Sequence, residues 1–190
     1  MIELNAQSEK KLKINIYGYI GYWDTSAEHV LRRIEDSKAE EIHVHINSGG
    51  GSAFDGIAIS NILKNHKAKV IAHIDGWAAS AASIIAMGAD EIIMPSNTMM
   101  MIHQASTFAY GNADEFEKIA VDLRKIDQAV KSSYKHRFVG KEDELEKYFI
   151  TTLEKRINDK AEQKLRFVQE VRVLKEQGYS QRKIAEITGI

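Results

Sequence analysis

The sequence predicts an α/β fold, and three observations carry that reading. Short β-rich runs recur at Leu12 to Tyr17, Ile42 to Ile46 and Val70 to Ile74, each broken by glycine. Each run is followed by a stretch whose apolar residues fall at helical spacing, which argues for repeated βαβ units. Beyond them, Phe116, Ile119, Ala120, Leu123, Ile126 and Val130 recur at intervals of three and four, the mark of one long amphipathic helix.

Taken in order, the first strand alternates apolar and polar residues and leaves into a turn at Gly18 and Gly21. A helix follows from the expected N-cap Thr25 to Asp36, with Val30, Leu31 and Ile34 on its apolar side. The run Ile42-His-Val-His-Ile46 is the second strand, ended by Gly49, Gly50 and Gly51, and Phe54 to Leu63 is the second helix. The third strand stops at Gly76, and Ala78 to Met87 is small and apolar on nearly every side, as a helix buried within a protein must be. Glu91 to Met94 and Met99 to Ile102 read as short strands around a turn at Pro95. The long helix spans about 114–138 and Gly140 ends it.

A chain of 190 residues holds one sizeable core and little more. We place a core at 1–140 and a helical C-terminal extension at 141–190, since composition shifts near 140. Lysine and arginine number 26 against 27 acidic residues, so no global field recruits nucleic acid or an anionic membrane. Cysteine is absent, which excludes disulfides, thiolate metal sites and a cysteine nucleophile. The N-terminal residues lack the order of a signal peptide and no apolar run approaches a membrane span, so a cytoplasmic setting is expected.

Candidate chemistry lies at the strand ends. Ser80 follows a strand and opens a buried helix, a seat where backbone N–H groups point outward; it is either a nucleophile or simply a helix cap, and Ser48 and Ser83 carry the same alternative. The segment Asn47 to Ser52 is either a turn or an anion cradle, and it matches neither the Walker loop nor the dinucleotide spacing. His103 ends a strand among apolar neighbours, where a lone histidine is more often structural than catalytic. The remaining histidines, at 29, 43, 45, 66, 73 and 136, form no ligand motif; His43 and His45 share a strand face without an evident third ligand, so neither a metal nor another cofactor is expected.

In this order and spacing the segments resemble one family. Ile46-Asn-Ser-Gly-Gly-Gly51 is similar to the I-N-S-P-G-G loop of ClpP peptidases, with Gly49 in place of proline. Gly76-Trp-Ala-Ala-Ser80 resembles their G-x-A-A-S nucleophile segment, with Ala81 and Ala82 where Met-Gly is common. Met94-Pro-Ser-Asn97 followed by Met101-Ile-His-Gln104 resembles their L-P-N-S and M-I-H-Q stretch. The resemblance covers roughly Leu12 to Phe138 and implies a ClpP/crotonase-like core of repeated ββα units in a spiral, followed by the long helix and a helical tail. It implies a serine endopeptidase with Ser80 as nucleophile, His103 as general base and the amides of Gly51 and Ala81 as oxyanion hole. It also implies polypeptide substrates and a homo-oligomeric ring.

The family's aspartate segment has no clear counterpart. The best register lays Lys155 to Lys160 over it, with Lys155 where aspartate belongs, and Asp159, Asp143 and Glu154 are the nearby acids; we take Asp159 as the candidate third residue. About a dozen residues precede the first strand, where the family carries its pore loop, so an ATPase partner is left open. The short chain resembles the branch of phage head-maturation proteases. Alternatives are a catalytically impaired ring or scaffold subunit, and a crotonase-like acyl-CoA enzyme. The tail from Val173 resembles the first helix and turn of a helix-turn-helix, but it stops where a recognition helix would begin, so nucleic acid is not an expected partner.

Overall fold

The alternation of Ile42, Val44 and Ile46 with His43 and His45 turns one face of a strand inward, and the structure builds its sheet on that pattern. In the computed structural model the described residues are 10–140 and 144–145, all within a compact unit, Met1–Ile150. The order is β1 (Lys11–Ile20), α1 (Ala27–Glu35), β2 (Glu41–Gly51), α2 (Ala53–Lys64), β3 (Lys69–Ala79), α3 (Ala81–Met87), β4 (Glu91–Ile93), β5 (Met99–Met101) and α4 (Ala113–Lys135). Every strand pairing is parallel, with β1, β2, β3 and β4 side by side and β5 also on β3. The α/β class and the repeated units are therefore as the sequence predicts. The extension expected over 141–190 lies outside the described residues apart from Glu144 and Leu145.

Isoleucine dominates the core: Ile14, Ile16 and Ile20 from β1, Ile42 and Ile46 from β2, Ile74 from β3, Ile59 from α2 and Ile85 from α3 are all essentially out of water. Each such side chain contributes about 1.5–3 kcal/mol of transfer free energy, which holds the helices on the sheet. α3 is buried at every position, as a helix that is apolar on nearly every side must be, and its one polar side chain, Ser83, is hydrogen-bonded.

Three local expectations are corrected. Glycine ends the strands less sharply than expected: β1 stops before Gly21, but β2 runs through Gly49 and Gly50 to Gly51 and β3 through Gly76 to Ala79. The ladder absorbs the glycines as register shifts, between Tyr17 and Tyr19 on β1 and between Ile46 and Ser48 on β2. The cap of α1 is Ser26, whose hydroxyl accepts the His29 N–H, while Thr25 is buried with its hydroxyl unpartnered among the described residues. β4 and β5 form on either side of a turn at Pro95, as the sequence predicts, and lie end to end on β3, β4 against Ile71–His73 and β5 against Trp77–Ala79. α4 ends at Lys135 rather than near Gly140, and Asn112 and Glu115 form a reciprocal capping box at its start.

The other face of the sheet carries a histidine stack. His45 and His73 are cross-strand partners with rings parallel at 4.5 Å, and His43 Nδ1 lies 2.9 Å from His73 Nε2. Asp75 accepts from Tyr17 at 2.7 Å and contacts His45 Nδ1 at 2.9 Å, while Glu41 meets His43 Nε2 at 3.3 Å. Burial, then the neighbouring His45 and His43, hold His73 below the usual imidazole range. Hydrogen bonding to Asp75 pushes Tyr17 up to about 12.

Candidate active site

β3 delivers Ser80 straight into α3 through a turn that no other described non-glycine residue makes. Its φ is 55° and ψ −125°, a region that costs a side chain about 1–3 kcal/mol and is held by the structure around it. Strained strand-to-helix turns of this kind present a serine hydroxyl at the head of a sheet. Ser80 occupies the N-cap position without making a side-chain cap bond, so the capping role open in the sequence is not the one it fills.

The turn is fastened from two sides. Ser80 N–H donates to Met101 O on β5 at 2.9 Å. The Ser83 hydroxyl lies 2.6 Å from Ser80 O and 2.7 Å from the Tyr134 hydroxyl of α4. Burial raises the Tyr134 phenol to about 12, with the Ser83 bond opposing. Ser83 thus braces the turn. Ser48 braces the glycine segment in the same way, its hydroxyl donating to Gly18 O at 2.7 Å and accepting Gly50 N–H at 3.0 Å.

The glycine segment approaches the turn backbone to backbone. A Cβ placed on Gly50, whose φ is +96°, would lie 2.6 Å from Ser80 Cβ, 2.7 Å from Ala79 O and 3.0 Å from Ala81 N. Gly51, at φ +149°, packs as closely against Ile20 O of β1. Ala81 is the first residue of α3, so its N–H has no acceptor within the helix. Glycine at 50 and 51 therefore brings two stretches of main chain within reach of one small volume beside Ser80.

β5 brings the histidine. Ala79 and Met101 are register partners, which sets Ser80 one residue and His103 two residues beyond the last paired position of adjacent strands. Both side chains line a cleft of about 330 Å³ together with Gly51, and Tyr19, Phe54, Leu123 and Ile126 supply apolar walls. No hydrogen bond joins the hydroxyl to the imidazole among the described residues; the two share the cleft. Asp159, with Asp143, Glu154 and Lys155, lies outside the described residues.

The structure adds an acid that sequence reasoning missed. Asp127 of α4 is the only charged residue among the buried ones described, and its carboxylate accepts the Ala105 N–H at 2.6 Å, two residues beyond His103. The signal was a charge at a core-facing position, four residues after Leu123 and three before Val130. Among the described residues no three histidine, aspartate or glutamate side chains are arranged to hold a metal ion, the histidine stack included. None of the described helices is long and apolar enough to cross a membrane.

Comparison with known proteins bears on this geometry. The chain is 34% identical over 101 residues to the ATP-dependent Clp protease proteolytic subunit of Deinococcus radiodurans, covering 51% of this chain and 49% of that one. It is 31% identical over 132 residues to the ATP-dependent Clp protease proteolytic subunit 3 of Rhizobium etli, covering 66% of each. An uncharacterised protein of Methanocaldococcus jannaschii is 40% identical over 90 residues, 47% of this chain and 30% of that one. The chain spans about half the length of the Deinococcus relative. The family described as Clp protease matches residues 9–163, which takes in every described strand and helix, the strained serine turn and the glycine segment packed against it. The chain belongs to the Clp protease family.

Proposed function

We propose that this chain is the proteolytic subunit of a serine endopeptidase, acting on polypeptides in the cytoplasm as a homo-oligomeric ring. The observation that carries the reading is the strained backbone of Ser80, the one non-glycine residue at positive φ among those described, in a cleft it shares with His103. Ser80 Oγ attacks the scissile carbonyl while His103 takes its proton; the tetrahedral oxyanion is met by the amides of Gly51 and Ala81. Collapse of that intermediate breaks the C–N bond, and His103 returns the proton to the leaving amine. Water then repeats the sequence on the acyl-enzyme and frees Ser80. Asp159 is the acid assigned to orient the imidazole. Coupling to an ATPase follows only from the names of relatives described as ATP-dependent.

The test is covalent labelling by a fluorophosphonate probe together with hydrolysis of an unstructured polypeptide. Wild type labels at one serine and cleaves, whereas Ser80→Ala and His103→Ala lose both. Equal labelling of Ser80→Ala removes Ser80 from the mechanism, and a wild-type chain that neither labels nor cleaves is a scaffold subunit instead.

A further inference from the structure

Few hydrogen bonds hold the segment that carries His103, although Ile102 at its start packs against the core. From 102 to 111 the backbone is neither helix nor strand, and among the described residues no main-chain hydrogen bond reaches it from another element. Its two neighbours are firmly placed: Met101 is paired on β3 and accepts the Ser80 N–H, and Asn112 caps α4. Between them one bond to another element is present among the described residues, from Ala105 N–H to the Asp127 carboxylate. A histidine on an untethered segment would sample many positions, and a misplacement of about 1 Å at a reacting group costs on the order of 10²-fold in rate.

Asp127 itself needs an explanation. Burying a carboxylate is unfavourable unless hydrogen bonds or a counter-charge compensate, and the 2.6 Å contact is short, as charge-assisted bonds are. Leucine or alanine would fill that place on α4 without the penalty. The same helix face carries Tyr134 seven residues on, which reaches Ser83 behind the serine turn. α4 therefore touches both halves of the site, the nucleophile through Tyr134 and the base through Asp127.

We propose that Asp127 is the positioning residue for His103, acting through the Ala105 amide rather than through direct contact with the imidazole. The proposal rests on His103 serving as the base. Three variants test it: Asp127→Ala removes the acceptor, Asp127→Asn keeps an acceptor oxygen without the charge, and Ser80→Ala is the blank. Asp127→Ala slows fluorophosphonate labelling by about 10- to 100-fold. Asp127→Asn recovers most of that loss and leaves the pH midpoint of labelling where wild type has it. Labelling of Asp127→Ala at the wild-type rate overturns the proposal, as does Asp127→Asn being as slow as Asp127→Ala, which makes the charge the essential feature. NMR keeps the question apart from catalysis: the Ala105 amide proton resonates far downfield in wild type and moves in Asp127→Ala, and the His103 ring signal shifts with it and returns in Asp127→Asn. If wild type does not label, the peptidase reading fails while these signals still report the tether. A His103 ring signal identical in wild type and a folded Asp127→Ala overturns it.

Discussion

Placing one methyl group on Gly50 tests the packing on which the candidate site depends. In Gly50→Ala the new carbon would meet Ser80 Cβ at 2.6 Å, Ala79 O at 2.7 Å and Ala81 N at 3.0 Å. Two of the three are main-chain atoms, so no flexible side chain can swing aside. Overpacking of this kind costs about 1–3 kcal/mol. The φ of +96° adds about 1–3 kcal/mol, because alanine lacks glycine's freedom there. Together that is about 2–6 kcal/mol, a large share of a stability of about 5–15 kcal/mol. At about 2–4 °C per kcal/mol for a chain of this size, the melting temperature falls on the order of 10 °C. Relief comes by pushing the serine turn away, so labelling by a fluorophosphonate slows as well. The matched control is Gly49→Ala, whose methyl would meet only the half-exposed Trp77 ring at 3.1 Å and which stays within about 0.5 kcal/mol of wild type. A Gly50→Ala chain that melts and labels like Gly49→Ala refutes the backbone-to-backbone contact.

Other perturbations separate structural from catalytic roles. Ser26→Ala removes the cap of α1 and lowers stability by about 1 kcal/mol, whereas Thr25→Val, which deletes a buried unpartnered hydroxyl, raises it or leaves it unchanged in a denaturant titration; the reverse order restores Thr25 as the cap. Tyr134→Phe deletes the phenol that meets Ser83, costing about 1 kcal/mol in a thermal melt, and an unchanged melt shows that the contact is not formed. His73 binds its proton less readily folded than unfolded, so its contribution is present above about pH 6.5 and is lost as pH falls through the lower folded value. The melting temperature accordingly drops on acidification from neutral, and drops less in His73→Phe; equal slopes in the two chains dispose of the histidine stack as the cause.

What could be read from the sequence was whatever depends on period. The alternation in Ile42 to Ile46 fixes which face is buried and the structure follows it, whereas the three-and-four spacing on α4 gives a stripe that is exposed at Phe116, half-buried from Ile119 to Ile126 and buried at Val130. Ser80, His103 and Gly51 were identifiable through ordered motifs, and they meet in one cleft. Strand ends were misjudged because glycine interrupts a propensity pattern but not a ladder; Gly49 to Gly51 and Gly76 stay within their strands through register shifts set by neighbouring strands. The pairing of β4 and β5 was hidden for the same reason, since only the length of β3 reveals that it can seat both. Asp127 was passed over because its bond partner, an amide 22 residues earlier, is defined by the fold alone.

The end-to-end seating of β4 and β5 bears on how this family can change length. Each strand is fastened to β3 separately, and the stretch between Ile93 and Met99 joins them through a turn of its own, Thr98 donating both its N–H and its hydroxyl to Pro95 O. Residues gained or lost there alter neither the Ala79–Met101 register nor the place where the chain leaves β5. A single residue inserted between Met101 and His103 shifts the imidazole along the chain relative to Ser80, whose N–H is fastened to Met101 O. Changes in length are therefore expected to be tolerated on the Pro95 side of β5 and not between Met101 and His103, where the register of β5 on β3 sets the distance to the Ser80 turn.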